Sequence, residues 1–200
     1  WIWEGSSGTN SMAAVTSAGT FLAYGSGGTV WRSTDRGDTW SLVKSYGTTF
    51  SGFMIRTISS STGGQIIFAC ASYGSTKQLN ASFDDGATWS ANLLTSDEQA
   101  AFAGTYQPFF SSDISVERLP GVTLANSRIR LASYGSWIDR VTGSQHVSGR
   151  IFRSEKTVAE LEAGAVSLDF RKVWQVDPSD YYVGAFAHDT ALLQTNGTLV

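Results

Sequence analysis

The sequence predicts an all-β chain made of repeated antiparallel units, and three observations predict it. An eight-residue pattern occurs twice, as Ser33-Thr34-Asp35-Arg36-Gly37-Asp38-Thr39-Trp40 and as Ser82-Phe83-Asp84-Asp85-Gly86-Ala87-Thr88-Trp89, at an interval of 49 residues. Three β-prone apolar runs end in Tyr-Gly-Ser, at Tyr24, Tyr73 and Tyr134. The composition is that of strands joined by turns, with 21 Gly, 3 Pro and 12% aromatic residues in 200. A recurring period near fifty residues is the mark of a repeat architecture.

The first unit explains the pattern. Gly19-Thr20-Phe21-Leu22-Ala23-Tyr24 reads as a strand, and Gly25-Ser26-Gly27-Gly28 as a hairpin loop. No helix follows that loop, so it is not a phosphate cradle. Thr29-Val30-Trp31-Arg32 and Trp40-Ser41-Leu42-Val43 are strand-forming arms on either side of the motif. Between them, Asp35 can accept hydrogen bonds from amides just ahead of it. Gly37 tolerates positive φ, Ser33 and Thr39 can tie the arms together, and Trp40 covers the turn. Ser82, Asp84, Gly86, Thr88 and Trp89 take the same roles in the second unit, whose strand Gln65-Ile66-Ile67-Phe68-Ala69-Cys70-Ala71 buries the single cysteine.

The third unit departs from the pattern. Ser127-Arg128-Ile129-Arg130-Leu131-Ala132-Ser133-Tyr134 is its strand, and Gly149-Arg150-Ile151-Phe152-Arg153-Ser154 is the arm leading into a turn. Glu155 and Lys156 stand where Thr and Asp are expected. Val158 to Ala163 reads as a helical interruption, and Phe170 to Val176 resumes as the outer strand. The interval from Ser82 to Ser154 is 72 residues, and the surplus is expected in this insertion and in a loop from Trp137 to Ser148. A fourth strand start is read at 191–199, where Asn196-Gly197 is a tight-turn signal. The units are placed at roughly 10–46, 47–98, 99–176 and 177–200.

The motif S-x-D-x-G-x-T-W resembles the Asp-box, or BNR repeat, found in sialidases, other glycoside hydrolases, sortilin-type receptors, photosystem assembly factors and phage tail or spike proteins. The resemblance implies a β-propeller of four-stranded antiparallel blades. Each box would join the outer two strands of a blade, away from the ligand face. About three and a half blades would lie in this chain, leaving the ring to be closed by other residues or by partner chains. A β-sandwich is the main alternative fold.

The same resemblance suggests where chemistry would sit in a sialidase-like member. Arg118-Leu119-Pro120 is a near match to the Arg-Ile-Pro motif whose arginine binds a substrate carboxylate, and Asp139 and Arg140 follow in a polar loop. Two boxes precede Arg118 here, whereas the family places that motif ahead of its first box. Arg118 and Asp139 are therefore the weak catalytic candidates, beside the plainer reading of a strand-end arginine and a loop acid. Trp137, Arg140 and Arg118 are the candidate ligand-binding residues, Trp137 because polar residues surround it. Trp1, Trp3, Tyr106, Phe109, Phe110, Tyr181 and Tyr182 are further aromatics at loops or strand ends, where packing between units is the competing role.

Charge and residue inventory narrow the classes. The net charge is −3 and no basic run occurs, which argues against general nucleic-acid binding. No apolar run has the length of a membrane span. His146 and His188 lack metal-ligand spacing, and His188-Asp189 has no nucleophile motif beside it, so no metal and no cofactor is expected. Sequons at Asn80 and Asn196 matter only in a secretory host. The chain opens at Trp1 and stops in what reads as mid-strand, so a fragment or processed chain is expected. The favoured function is a non-catalytic extracellular or virion-associated propeller that binds glycans or neighbouring protein subunits, as a homo-oligomer or in a larger assembly. A sialidase-like glycoside hydrolase and a protein-binding assembly factor or sorting receptor stay open as alternatives.

Overall fold

Within each sheet, consecutive strands pair with their sequence neighbours in a computed structural model that describes residues 11–25, 27–47, 52–73, 76–96, 113–138 and 145–175. Strands β1 (Ser11–Val15), β2 (Phe21–Gly25), β3 (Thr29–Ser33) and β4 (Ser41–Ser45) form the first antiparallel sheet. The second holds β5 (Gly52–Ser59), β6 (Gln65–Tyr73) and β7 (Thr76–Ser82). The third holds β8 (Asp113–Val116), β9 (Arg128–Ile138), β10 (Gln145–Thr157) and β11 (Phe170–Gln175). One short helix, α1 (Val158–Glu162), follows β10. Short connections between adjacent strands make such meanders the simplest topology.

The expected four strands are present in the first and third sheets, while the second has three. Its fourth position is taken by irregular chain. Ser90 N donates to Ala81 O at 2.8 Å and Leu93 N to Leu79 O at 2.7 Å. Between them the Asn92 side chain stands in for backbone, accepting from Leu79 N at 2.9 Å and donating to Lys77 O at 3.0 Å. An amide side chain carries both donor and acceptor groups, so it can bridge a ladder that the main chain leaves open.

Strand alternation sets the layers. In the second sheet Met54, Ile58, Ile66, Phe68, Cys70, Leu79 and Ala81 join Ile114, Ile129, Leu131, Phe152 and Phe170 of the third sheet in one core. Ile55, Ile67 and Ala69 point the other way and meet Leu22 and Val30 of the first sheet. The second sheet is therefore apolar on both faces, which is why Ile66 to Ala71 is an unbroken buried run. Cys70 is fully buried among these side chains, as its sequence context implies. Strand β5 lies beside both β1 and β8, so the first strands of the three sheets cluster together.

Two expectations about the third unit are resolved. The interruption after Ser154 is helical: Thr157 caps α1, accepting from Glu160 N at 3.2 Å while Glu160 Oε2 accepts from Thr157 N at 2.8 Å. The stretch from Trp137 to Ser148 is not simply a loop. Its two ends are strand, with Trp137 opposite His146 and Ser136 opposite Val147, so the extra length lies in a longer hairpin. The fourth strand start at 191–199 and the unit at 177–200 lie outside the described residues.

Candidate functional site

The two repeated turns fold alike. In the first, Ser33 Oγ donates to Asp35 Oδ1 at 2.7 Å and accepts from Gly37 N at 2.8 Å. Asp35 Oδ1 also accepts from Thr39 N at 2.9 Å, and Oδ2 from Thr39 Oγ1 at 2.5 Å. In the second, the matching distances are 2.9 Å for Ser82 Oγ to Asp84, 2.9 Å for Gly86 N to Ser82 Oγ, and 2.8 and 2.6 Å for Thr88 N and Oγ1 to Asp84. Arg36 and Asp85 occupy the same left-handed position, at φ 64° and 60°. The tryptophans diverge. Trp40 Nε1 donates to Gly37 O at 3.0 Å, whereas Trp89 packs onto the core between the first two sheets.

These carboxylates are saturated by their own turns. Thr39, through its hydroxyl and its amide, and then Ser33 hold Asp35 down from 3.8 to about 2. Burial pushes Asp84 up, but the bonds from Thr88 and Ser82 outweigh it and leave it below its ordinary value. A group ionised so far below neutrality is a poor general acid or base at neutral pH. Both turns are built for folding.

The turns also tie sheet to sheet. The Asp85 carboxylate accepts from Thr20 Oγ1 and lies 3.5 Å from Arg32 Nη2, both in the first sheet's unit, and Asp85 O accepts from Arg32 Nε at 2.8 Å. The third unit makes the corresponding contact with different residues. Glu162, at the end of α1, accepts from Ser60 Oγ at 2.6 Å, from Ser61 N at 2.8 Å and from Ser61 Oγ, in the β5–β6 turn. Burial raises Glu162, and these serine bonds more than offset the rise. A groove of about 370 Å³ runs between the turns, bordered by Ser17, Gly64, Phe83, Asp84, Asp85 and Glu162. Its three carboxylates are each engaged in the bonds just described.

The third unit replaces the Asp-centred turn by other means. Ser154 Oγ accepts from Ile129 N at 2.9 Å and donates to Lys156 O. Glu155 pairs with Arg171 at 3.2 Å and Arg128 at 3.7 Å, and Lys156 lies 3.8 Å from Glu160 and 3.9 Å from Asp169. Charge pairs and a capped helix thus close a turn that Ser, Asp and Thr close elsewhere.

Of the residues read from sequence as a possible binding set, the two that are described, Arg118 and Trp137, fall far apart. Arg118 is exposed in the β8–β9 connection, at the same end of the sheets as the Asp-centred turns. No partner engages its guanidinium among the described residues. Trp137 lies near the other end of β9, about 30 Å away at about 3.3 Å per residue. Asp139 and Arg140 lie outside the described residues, as do Trp1, Trp3, Tyr106, Phe109, Phe110, Tyr181, Tyr182 and His188. Asn80 is fully buried and donates to Ser90 O at 3.0 Å, so a glycan there is incompatible with the fold.

A feature that sequence reasoning missed is a row of arginines. Arg130, Arg153 and Arg171 are directly opposite one another across β9, β10 and β11. The sequence signal existed, since alternation places them on the face away from Ile129, Leu131 and Phe152, but only the strand pairing brings them into line.

Among the described residues no cluster of His, Cys, Asp and Glu could hold a metal ion, and no helix is long and apolar enough to cross a membrane. Compared with family models and with curated proteins, the chain gives no match.

Proposed function

We propose that this chain is part of an Asp-box β-propeller that binds glycans or neighbouring protein subunits and carries out no catalysis. The observation that carries the reading is the saturation of both Asp-centred turns at one end of the sheets. Their polar residues are spent on closing hairpins and docking one sheet on the next. Three further features support a propeller. The sheets are sequential meanders, the Asp-centred turns follow the third strand of each of the first two, and the first strands cluster as strands around an axis would.

On this reading the ligand face is the end opposite the turns, where the β2–β3 and β9–β10 hairpins and Trp137 lie. An indole there suits a sugar face or a flat protein patch, since it combines apolar area with a single donor. Arg118 is at the wrong end to share a small ligand with Trp137, which disfavours the sialidase-like alternative. A secreted or virion-surface setting fits a chain that spends so much of its sequence on Ser, Thr and Gly turns.

Glycan-array binding and pull-down of a stoichiometric protein partner test the reading together. Trp137→Ala should weaken whichever binding is found, and Arg118→Ala should leave it unchanged. The reverse pattern would overturn the assignment of the face. Turnover of a fluorogenic sialoside that Arg118→Ala abolishes would replace the reading with the hydrolase.

A further inference from the structure

Among the described side chains, the face of the third sheet away from its core carries four arginines, Arg128, Arg130, Arg153 and Arg171, against two glutamates, Glu117 and Glu155, in a chain whose net charge is −3. Both glutamates face arginines, although Oε1 of Glu155 is buried without a hydrogen bond. Glu117 is buried with Arg130 in an ion pair, their side chains 5% and 10% exposed, and Glu155 serves Arg171 and Arg128. Arg153 sits directly between Arg130 and Arg171 in the ladder, and among the described residues no acid pairs with it. Opposite side chains in such a ladder stand about 5 Å apart, and like charges there repel.

The guanidiniums are also short of acceptors. Nε of Arg130 and Nε of Arg153 are both buried without a hydrogen-bond partner. A buried donor left unsatisfied costs about 1–3 kcal/mol, and here two stand next to each other with the same charge. A merely structural position would be filled at lower cost by an apolar residue, as Ile66 to Ala71 of the second sheet are. Glu117 binds Arg130 through Nη2, which leaves its Nε without an acceptor. Two arginines at one register position, each with a buried and unsatisfied Nε donor, carry the kind of donors that oxyanions accept, charge-assisted and in forked geometry.

We propose that Arg130 and Arg153 hold an oxyanion between them on the outer face of the third sheet. Phosphate, sulfate and carboxylate share the required chemistry: one unit or more of negative charge and two oxygens for two donors. The anion offsets the surplus charge of the face and satisfies both Nε groups. The site stands apart from the ligand face proposed above and does not depend on it.

The test is a titration of the whole chain with inorganic phosphate, with sulfate and with acetate at constant ionic strength, sodium chloride making up the balance. Binding is read by calorimetry and by the thermal midpoint. At least one anion should give a saturable response in the native protein, and the ranking tells a tetrahedral ion from a carboxylate. Arg153→Gln should weaken that response at least tenfold, while Arg171→Gln, altered at the exposed end of the row, should stay within about twofold of the native protein. Equal responses from the native chain and Arg153→Gln overturn the proposal, because they would reflect a general salt effect. If Arg153→Gln does not fold, the native calorimetric titration decides: saturable heat with any of the three anions supports the site, and its absence with all three overturns it.

Discussion

Asp85 and Arg32 join two sheets through both main chain and side chain. Arg32 Nε donates to the Asp85 carbonyl at 2.8 Å while Nη2 lies 3.5 Å from the Asp85 carboxylate. Thr20 donates to the same carboxylate, so one turn residue is bound at three points by the neighbouring sheet. Because the carbonyl contact survives truncation of the aspartate, the side-chain part can be separated from it. Asp85→Ala should cost about 1–2 kcal/mol, and a double-mutant cycle with Arg32→Ala should give a coupling of about 0.5–1 kcal/mol, since both side chains remain partly exposed. Urea denaturation of the four proteins measures it. A coupling indistinguishable from zero would show that the side-chain contact adds nothing to the carbonyl bond.

Gly86 and Gly37 form a matched pair of probes. Both have positive φ, at 82° and 95°. A Cβ on Gly86 would come within 2.8 Å of Leu22 Cδ2, which is fully buried, whereas a Cβ on Gly37 would meet nothing nearer than 3.6 Å. Each Gly→Ala change carries a left-handed backbone cost of about 1–2 kcal/mol. Only Gly86→Ala adds overpacking, worth about 1–3 kcal/mol. Equal denaturation midpoints for the two variants would mean that the second turn does not press on Leu22 as described.

Acid should loosen the turns in a defined window. The Asp35 carboxyl falls from 3.8 to about 2 on folding, so its folded form holds protons less readily than its unfolded form. Its contribution is complete above about pH 4 and is lost as the pH drops through 2. Asp84 is shifted in the same direction. Asp35→Asn should therefore be less stable than the native chain at neutral pH, and the gap should narrow steadily below pH 4. A gap that stays constant from pH 7 to pH 2 would contradict the hydrogen bonds assigned to Thr39 and Ser33.

Glu162 is the third unit's link to the second sheet, and its truncation should be felt at a distance. Glu162→Ala leaves Ser61 N and two hydroxyls without their acceptor, at a cost of about 1–3 kcal/mol. Faster amide exchange should appear in the β5–β6 turn, with α1 itself still capped by Thr157. Protection unchanged at Ser61 would disprove the link.

Much of this architecture is legible in the sequence because its causes are local. Ser33, Asp35, Gly37 and Thr39 close a turn using atoms within a few residues of each other, and so does Thr157 with Glu160. Alternation of Met54 with Ile55 and of Ile66 with Ile67 announces a sheet buried on both sides. What was hidden depends on partners far along the chain. Nothing near Asp85 names Arg32, fifty-three positions away, and nothing near Asn92 reveals that its amide replaces a strand. The arginine row is the clearest case. Arg130 and Arg153 look like ordinary surface residues until the register of β9 and β10 sets them opposite each other. Arg118 shows the converse limit, because a three-residue likeness carries no information about which end of a strand it occupies.

The second sheet, apolar on both faces, has a consequence for how the molecule holds together. With Phe68 turned to one neighbour and Ile67 to the other, both of its faces carry a broad apolar patch. Peeling away either outer sheet would strand a broad greasy wall, so the stack should melt as one cooperative block rather than shed its layers in turn. A truncation ending between the second and third sheets should accordingly yield insoluble protein, and graded trimming should fail abruptly at that boundary.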